Sequence, residues 1–222
     1  MLGIWNDIDP GDEREFNDWY TREHLPERVA IPGFRRGRRY VRWEDEQPSA
    51  QKYLTLYETE SVETLASAPY LDRLDNPTEW TRRILPRFKR SARAACRVTG
   101  SIGVGIGGSL ATLQFEPAST KEDELRHWLL TIAMPNAVEQ PDVIAIHLCE
   151  ADVETTGAKD DTEESGAAGG RWPSVRWMIL VEAARPAGLD LVELELRGGD
   201  GIPRHGGTRE ISGGRYSVMM IR

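Results

Sequence analysis

Residues 16–26 read FNDWYTREHLP and residues 125–135 read LRHWLLTIAMP. Shifting the chain by 109 positions places Trp19 on Trp128 and Pro26 on Pro135. The same shift places the proline at position 32 on the proline at position 141. The agreement of a tryptophan and two prolines at one spacing indicates an internal duplication. We therefore treat the chain as two related halves.

The register of the repeat changes further along the chain. There the shift is 124 positions, which aligns Leu56 with Leu180 and Glu58 with Glu182. The larger shift indicates an insertion in the second half, and residues 153–170 (VETTGAKDDTEESGAAGG) lack any apolar periodicity. We predict an acidic, flexible surface loop there, whose deletion changes the free energy of unfolding by less than about 0.5 kcal/mol.

Hydrophobic periodicity predicts the same order of elements in each half. In the first half we predict strand 2–8, helix 12–29, strand 34–43, loop 44–51, strand 52–59, helix 61–74 and strand 90–99. In the second half we predict strand 109–115, helix 121–133, strands 143–151 and 175–183, helix 188–197 and strand 215–221. The order βαββαβ is that of a ferredoxin-like unit, a four-stranded antiparallel sheet with both helices on one face.

A sheet that carries helices on one face leaves its other face bare, and that face must be buried against something. The other repeat is the economical partner. We predict an α+β protein with two tandem ferredoxin-like repeats, residues 1–108 and 109–222, packed sheet to sheet. The second repeat carries the flexible insertion, the glycine-rich segment 100–108 forms the joint, and an extra helix follows Pro77.

The first repeat also carries a recognisable pattern of residues, which is followed by an arginine-rich strand: Phe16, Trp19, Tyr20, His24, Pro26, Ile31, Pro32, Gly33 and Phe34. This pattern resembles the dimeric α/β-barrel superfamily, and within it the EthD-like and stress-responsive A/B-barrel proteins. Members include antibiotic monooxygenases, muconolactone isomerases and polyketide cyclases, whose chains pair their sheets as homodimers. The resemblance implies that this chain is a fusion of two such units, which forms the barrel within one molecule.

Composition restricts the class of protein. The 222 residues carry a net charge of −8, all of it in residues 110–222, which opposes non-specific binding of nucleic acid. No apolar run approaches the roughly 18 residues of a membrane span, and residues 1–10 have neither a basic region nor a long apolar stretch, so we expect neither membrane insertion nor secretion. Cys96 and Cys149 have no ligand spacing around them, so we expect buried, reduced thiols in a cytoplasmic protein.

The first helix of the first repeat carries the candidate catalytic residues. Phe16, Tyr20 and His24 are four residues apart and lie on one helical line, where the second repeat has only apolar side chains: Leu125, Leu129 and Ala133. An imidazole there can act as a general acid or base, and a phenol can donate a hydrogen bond to a developing oxyanion. We predict His24 and Tyr20 as catalytic residues, and related cyclases carry a His and a Tyr in the pocket between this helix and the sheet. Alternatively, His24 caps the helix end and binds a carbonyl near Pro26.

The strand 34–43 contains five arginines, distributed over both of its faces. At least one must therefore point into the sheet interface or the pocket, where it needs an anionic partner. We predict that Arg38 binds an anionic group of the substrate. A structural ion pair with Asp7 or Glu58 is the alternative.

Four further residues are candidates for the lining of the same cavity: Trp5, Asp7, Tyr40 and Tyr53. Alternating aromatic residues on strands are also typical of a core. The chain has no HExxH, paired-cysteine or GxSxG motif, so we predict no metal and no cofactor. Tandem barrels that hold haem resemble this layout, but no residue marks a proximal histidine.

These observations predict a cofactor-independent enzyme for proton transfer, isomerisation, cyclisation or oxygenation of an aromatic or acidic compound. The alternative is a non-enzymatic ligand-binding or stress-associated module. In either case we expect a small-molecule ligand and a monomer or homodimer, without nucleic acid or membrane partners.

Overall fold

A computed structural model of the protein describes residues 1–44, 50–157, 159–170, 173 and 175–222. The described residues include eight strands, which form one closed barrel. These strands are β1 (Leu2–Asp7), β2 (Phe34–Arg42), β3 (Tyr53–Thr59), β4 (Lys89–Gly103), β5 (Ser109–Phe115), β6 (Val143–Ala151), β7 (Trp177–Ala183) and β8 (Arg215–Ile221). Residues 45–49 of the predicted loop 44–51 lie outside the described part of the chain.

Each half of the barrel has the strand order of a ferredoxin-like sheet. The order around the barrel is β1-β3-β2-β8-β5-β7-β6-β4. One sheet is thus β4-β1-β3-β2 and the other is β8-β5-β7-β6. Antiparallel pairing of β2 with β8 and of β4 with β6 joins their edges. The predicted intramolecular α/β barrel of two tandem repeats is confirmed.

Helices cover the outer face of both sheets. They are α1 (Glu13–Trp19), α2 (Leu25–Val29), α3 (Ala68–Asp75), α4 (Glu79–Ile84), α5 (Glu122–Trp128), α6 (Met134–Val138), α7 (Val153–Gly157), α8 (Glu163–Ala167) and α9 (Ala187–Arg197). The extra helix expected after Pro77 is α4, which Thr78 caps by accepting a hydrogen bond from the Thr81 backbone N–H. Among the described residues, no helix has both the length and the apolar character needed to cross a membrane.

A π-helical turn interrupts the first helix of each repeat. It spans Tyr20–His24 between α1 and α2, and Leu129–Ala133 between α5 and α6. The prolines at positions 26 and 135 lie two residues after the last residue of each turn. A proline ring clashes with the carbonyl four residues earlier, and a wider turn relieves that clash. The repeated prolines therefore mark a repeated π turn, where the apolar spacing predicted continuous helix.

The joint between the repeats is shorter than predicted. Residues 100–103 belong to β4, where Gly100 pairs with Leu148 of β6. Only residues 104–108 connect β4 to β5. The glycines at the start of the predicted joint therefore help to close the barrel.

A charged side chain from the first repeat lies inside the barrel and meets carboxylates from both repeats. Arg38 on β2 forms an ion pair with Glu182 on β7 through Nη1, and its Nε lies 3.1 Å from Oε1 of Glu58 on β3. Arg38 Nη1 also donates to the Tyr40 hydroxyl at 2.7 Å. Arg38 and Glu182 are almost fully buried. Arg38 thus takes part in a structural ion pair between the two repeats.

The insertion is packed against the first repeat. Four of its residues are buried: Thr155, Lys159, Thr162 and Ser165. Glu164 forms an ion pair with Arg28 of α2, and Arg82 Nη2 lies 3.1 Å from Glu163 Oε2. Position 158 and the side chain at position 153 lie outside the described residues. The expectation of an exposed loop without regular structure is wrong, because its charges pair with residues distant in sequence.

Replacing Arg38 by Met should cost about 3–5 kcal/mol of unfolding free energy, because it leaves the Glu182 carboxylate buried without a cation. The double variant Arg38→Met, Glu182→Gln should recover part of that loss. Urea denaturation of the three proteins measures the difference. Equal destabilisation of the single and double variants would show that the unpaired Glu182 carboxylate does not cause the loss of stability.

Deleting residues 159–170 should now destabilise the protein by at least about 1 kcal/mol, which lowers the melting temperature by roughly 2–4 °C in a chain of this size. The loss follows from exposure of the first-repeat side chains that this segment covers. Calorimetry of the deleted and full-length chains measures it. Identical melting curves would instead support the exposed loop that the sequence predicts.

Candidate functional site

A small, partly open cavity lies between the helices and the sheet of the first repeat. Its volume is about 50 Å³, and part of the insertion covers it. The side chains that line it are Leu2, Ile4, Tyr20, His24, Arg28, Tyr57, Tyr70, Leu74, Leu85, Phe88, Arg93, Lys159, Glu164 and Ala168. The lining thus combines an apolar rim with a group of titratable side chains.

The π turn brings His24 and Tyr20 together at this cavity. Their ring centroids lie 5.1 Å apart in an edge-to-face arrangement, and both residues are buried. The helix continues through α2 to Val29. His24 Nδ1 has no hydrogen-bond partner among the described residues. His24 therefore does not cap the helix end.

Burial sets the protonation states of the aromatic groups. Burial, followed by the positive charges of Arg28 and Arg39, lowers the pKa of His24 well below its usual value. Burial raises the pKa of both Tyr20 and Tyr57. At neutral pH the site therefore presents a neutral imidazole beside two phenols that keep their protons.

Three cationic side chains and one carboxylate complete the polar lining. Burial lowers the pKa of Arg28, but Glu164 together with Tyr70, Tyr57 and Glu27 outweighs burial and leaves the pKa raised. Arg93 Nη1 donates to the Thr156 carbonyl at 2.8 Å, whereas its Nε and Nη2 are buried without a partner in the described structure. Burial and then Arg93 lower the pKa of Lys159 to about 8. Cations thus outnumber carboxylates in the lining.

The other predicted site residues lie elsewhere. Trp5 and Tyr40 belong to the core inside the barrel. Arg38 lies there too, because it donates a hydrogen bond to the Tyr40 hydroxyl. The sheet therefore separates all three residues from His24. The expectation that Arg38 shares a pocket with His24 is wrong, because strand alternation points it to the opposite face.

Asp7 and Tyr53 also lie outside the cavity lining. Asp7 forms an ion pair with Arg90 and accepts a hydrogen bond from the Lys52 backbone N–H at 2.7 Å. The Tyr53 hydroxyl binds Glu13 and accepts from Asn17 Nδ2 at 3.2 Å. Both side chains therefore have partners of their own near the end of the sheet.

Sequence reasoning missed six polar residues of the cavity: Arg28, Tyr57, Tyr70, Arg93, Lys159 and Glu164. One signal was available, because Arg28 continues the helical line of Phe16, Tyr20 and His24 by one more turn. The residues from β4 and the insertion carried no such signal, since only the fold brings them close to the helix.

The equivalent space in the second repeat is filled. Leu125 and Leu129 are fully buried and belong to a continuous apolar core. A larger groove of about 1080 Å³ lies beside the ends of β2, β5 and β8. Charged side chains there pair with one another, as Arg215 does with Glu193 and Asp190. The polar cavity of the first repeat is therefore the stronger candidate site.

No protein-family model matches the sequence, and no curated protein matches it either. Solved structures do resemble the fold. An anthrone oxidase-like protein superposes with a TM-score of 0.67 at 12% identity, over 100% of this chain and 91% of that one. A Fusobacterium nucleatum protein named as a monooxygenase gives a TM-score of 0.56 at 8% identity, over 100% and 93%.

A variant of the chlorite dismutase from Candidatus Nitrospira defluvii gives a TM-score of 0.56 at 12% identity, over 99% of this chain and 90% of that one. These similarities extend over both repeats and show a shared dimeric α/β-barrel fold. The narrower EthD-like resemblance stays a prediction.

The buried imidazole should make stability depend on pH. Because the pKa of His24 is lowered in the folded state, the unfolded chain takes up a proton first as the pH falls below about 6.5, and stability falls by up to about 1.4 kcal/mol per pH unit. The variant His24→Gln should lack this component. Urea denaturation at pH 7 and pH 5 measures it, with the exposed His127→Gln as control. An unchanged pH dependence in His24→Gln would contradict the burial of a neutral ring.

Proposed function

We propose that the first repeat is a cofactor-independent enzyme, in which His24 removes a proton from a bound aromatic or acidic small molecule. The observation that carries this proposal is a buried, neutral imidazole whose Nδ1 has no partner in the described structure, beside two protonated phenols and an excess of cations. A general base needs a free lone pair, and a developing anion needs donors that are already in place.

The proton-transfer step assigns a role to each group. A C–H or O–H proton of the substrate moves to His24, which becomes imidazolium, and the electron pair stays on the substrate as an enolate or phenolate. Tyr20 and Tyr57 are hydrogen-bond donors for that oxygen. The guanidinium groups of Arg28 and Arg93 stabilise its charge.

The fate of the anion distinguishes the reaction classes that the fold can support. Return of the proton to another atom is an isomerisation, attack on a carbonyl of the same molecule is a cyclisation, and reaction with dioxygen is an oxygenation. The names of the neighbours, anthrone oxidase-like protein and monooxygenase, agree with the last class. Fold similarity alone does not determine chemistry, but all three classes share the first step, proton removal by His24.

The competing proposal is a ligand-binding module without catalysis. The small volume of the cavity, about 50 Å³, favours it only because a largely packed interior leaves no room for a substrate beside His24. Such a volume holds only a few water molecules. A module of this kind would bind small molecules without any chemical role for His24.

Anthrone is a suitable probe, because loss of a methylene proton gives a stabilised anion. In deuterated buffer without oxygen, the protein should accelerate exchange of that methylene above the buffer rate, as measured by NMR. His24→Gln should reduce the protein-dependent rate at least about 100-fold. Tyr20→Phe should reduce it less, because Tyr57 provides a second donor.

The exposed variant His127→Gln serves as the control and should exchange at the wild-type rate. Binding of anthrone without accelerated exchange would support the ligand-binding module. Equal rates in wild type and His24→Gln would remove His24 from the chemistry.

A further inference from the structure

We infer that the ligand of the first-repeat cavity carries a carboxylate, which binds Arg28 in the position that Glu164 occupies in the closed structure. Residues 159–170, here called the cover segment, then form a lid that the ligand must displace. This inference rests on the proposed function, because it concerns the same cavity, but it assigns the ligand class and the gate.

The charge balance of the cavity indicates an anionic ligand. Of the two carboxylates near Arg28, Glu164 forms the close ion pair, whereas Glu27 lies 3.6 Å from Arg28 Nη1 and also binds Arg73 at 2.7 Å. Within the described part of the chain the Arg93 guanidinium forms no ion pair with a carboxylate, and its only side-chain hydrogen bond there is to the Thr156 carbonyl. A buried guanidinium that lacks an anionic partner is costly unless a ligand provides one.

Further unpartnered donors lie in the same lining. The Tyr57 hydroxyl has no hydrogen-bond partner in the described structure, and the same holds for Arg93 Nε and Nη2. Both residues are about 98% buried. Guanidinium groups bind carboxylates through two parallel hydrogen bonds, which Arg93 can complete with its two free N–H groups.

Glu164 is the carboxylate that can move away from Arg28, because it belongs to a different repeat. It lies on the short helix α8 of the second repeat, 136 residues away from Arg28 along the chain. Every other polar group of the lining except Lys159 belongs to a helix or strand of the first repeat. Movement of the cover segment therefore enlarges the cavity and frees Arg28 in one step.

The small volume of the cavity requires such a movement. About 50 Å³ holds a few water molecules and is too small for an aromatic ring. A ligand carboxylate that replaces Glu164 restores the ion pair of Arg28, so opening leaves no buried cation unpaired. Glu164 thus acts as an internal substitute for the carboxylate of the ligand.

The test compares benzoate with its neutral isostere benzamide by calorimetric titration of the full chain. Glu164→Gln weakens the closed cover for both ligands but leaves Arg28 free to pair only with benzoate. It should therefore tighten benzoate binding at least tenfold more than it tightens benzamide binding. The matched control is Glu163→Gln, the same change at the preceding position of α8, where the side chain is 59% exposed. It should bind benzoate within twofold of wild type. Arg28→Gln should abolish the preference for benzoate over benzamide.

Thermal shifts provide a second measurement in case Glu164→Gln is less stable. Saturating benzoate should raise the melting temperature of Glu164→Gln more than that of wild type. Equal benzoate affinity in wild type and Glu164→Gln, equal binding of benzoate and benzamide, or no benzoate binding by any variant would overturn the inference. The expected benzoate pattern together with unchanged anthrone exchange in His24→Gln would contradict the proposed chemistry and leave the gate intact.

Discussion

Backbone pairing between the two repeats is the constraint on which the rest of the structure depends. A ferredoxin-like sheet alone has two free edges and one bare face, and both are unfavourable in water. Pairing β2 with β8 and β4 with β6 removes these four edges and encloses both bare faces. Arg38 can be buried in the enclosed space because two carboxylates balance its charge: Glu58 of the first repeat and Glu182 of the second. The barrel and its internal charge pair therefore form together.

The two repeats share one fold but differ in the side chains of their first helices. Both repeats keep the proline-associated π turn, so the backbone of the first helix is the same in each. In the second repeat the positions facing the sheet are apolar, and its core is continuous. In the first repeat the positions that face the sheet carry Tyr20 and His24, and the next turn carries Arg28. These three side chains line a polar cavity. One repeat thus completes the barrel and covers the site that the other repeat bears.

The sequence predicted the fold more completely than it predicted the candidate site. Periodicity predicted all eight strands because alternation and helical spacing are local properties of the chain. The helical line of His24 and Tyr20 was visible for the same reason. The placement of Arg38 was wrong, because the alternation of a strand does not say which of its faces meets the helices. The packing of the insertion was missed because Glu164 has its partner in the other repeat.

By itself, the sequence determined the duplication, the order of strands and helices, and the contrast between a polar and an apolar first helix. These follow from residue spacing and from comparison of the two halves. Only the tertiary structure decided that Arg38 lies inside the barrel, that Arg93 and Tyr57 join His24, and that Glu164 closes the cavity. The physical reason is that these contacts join elements far apart in the chain. Their geometry is set by closure of the barrel and not by any local preference.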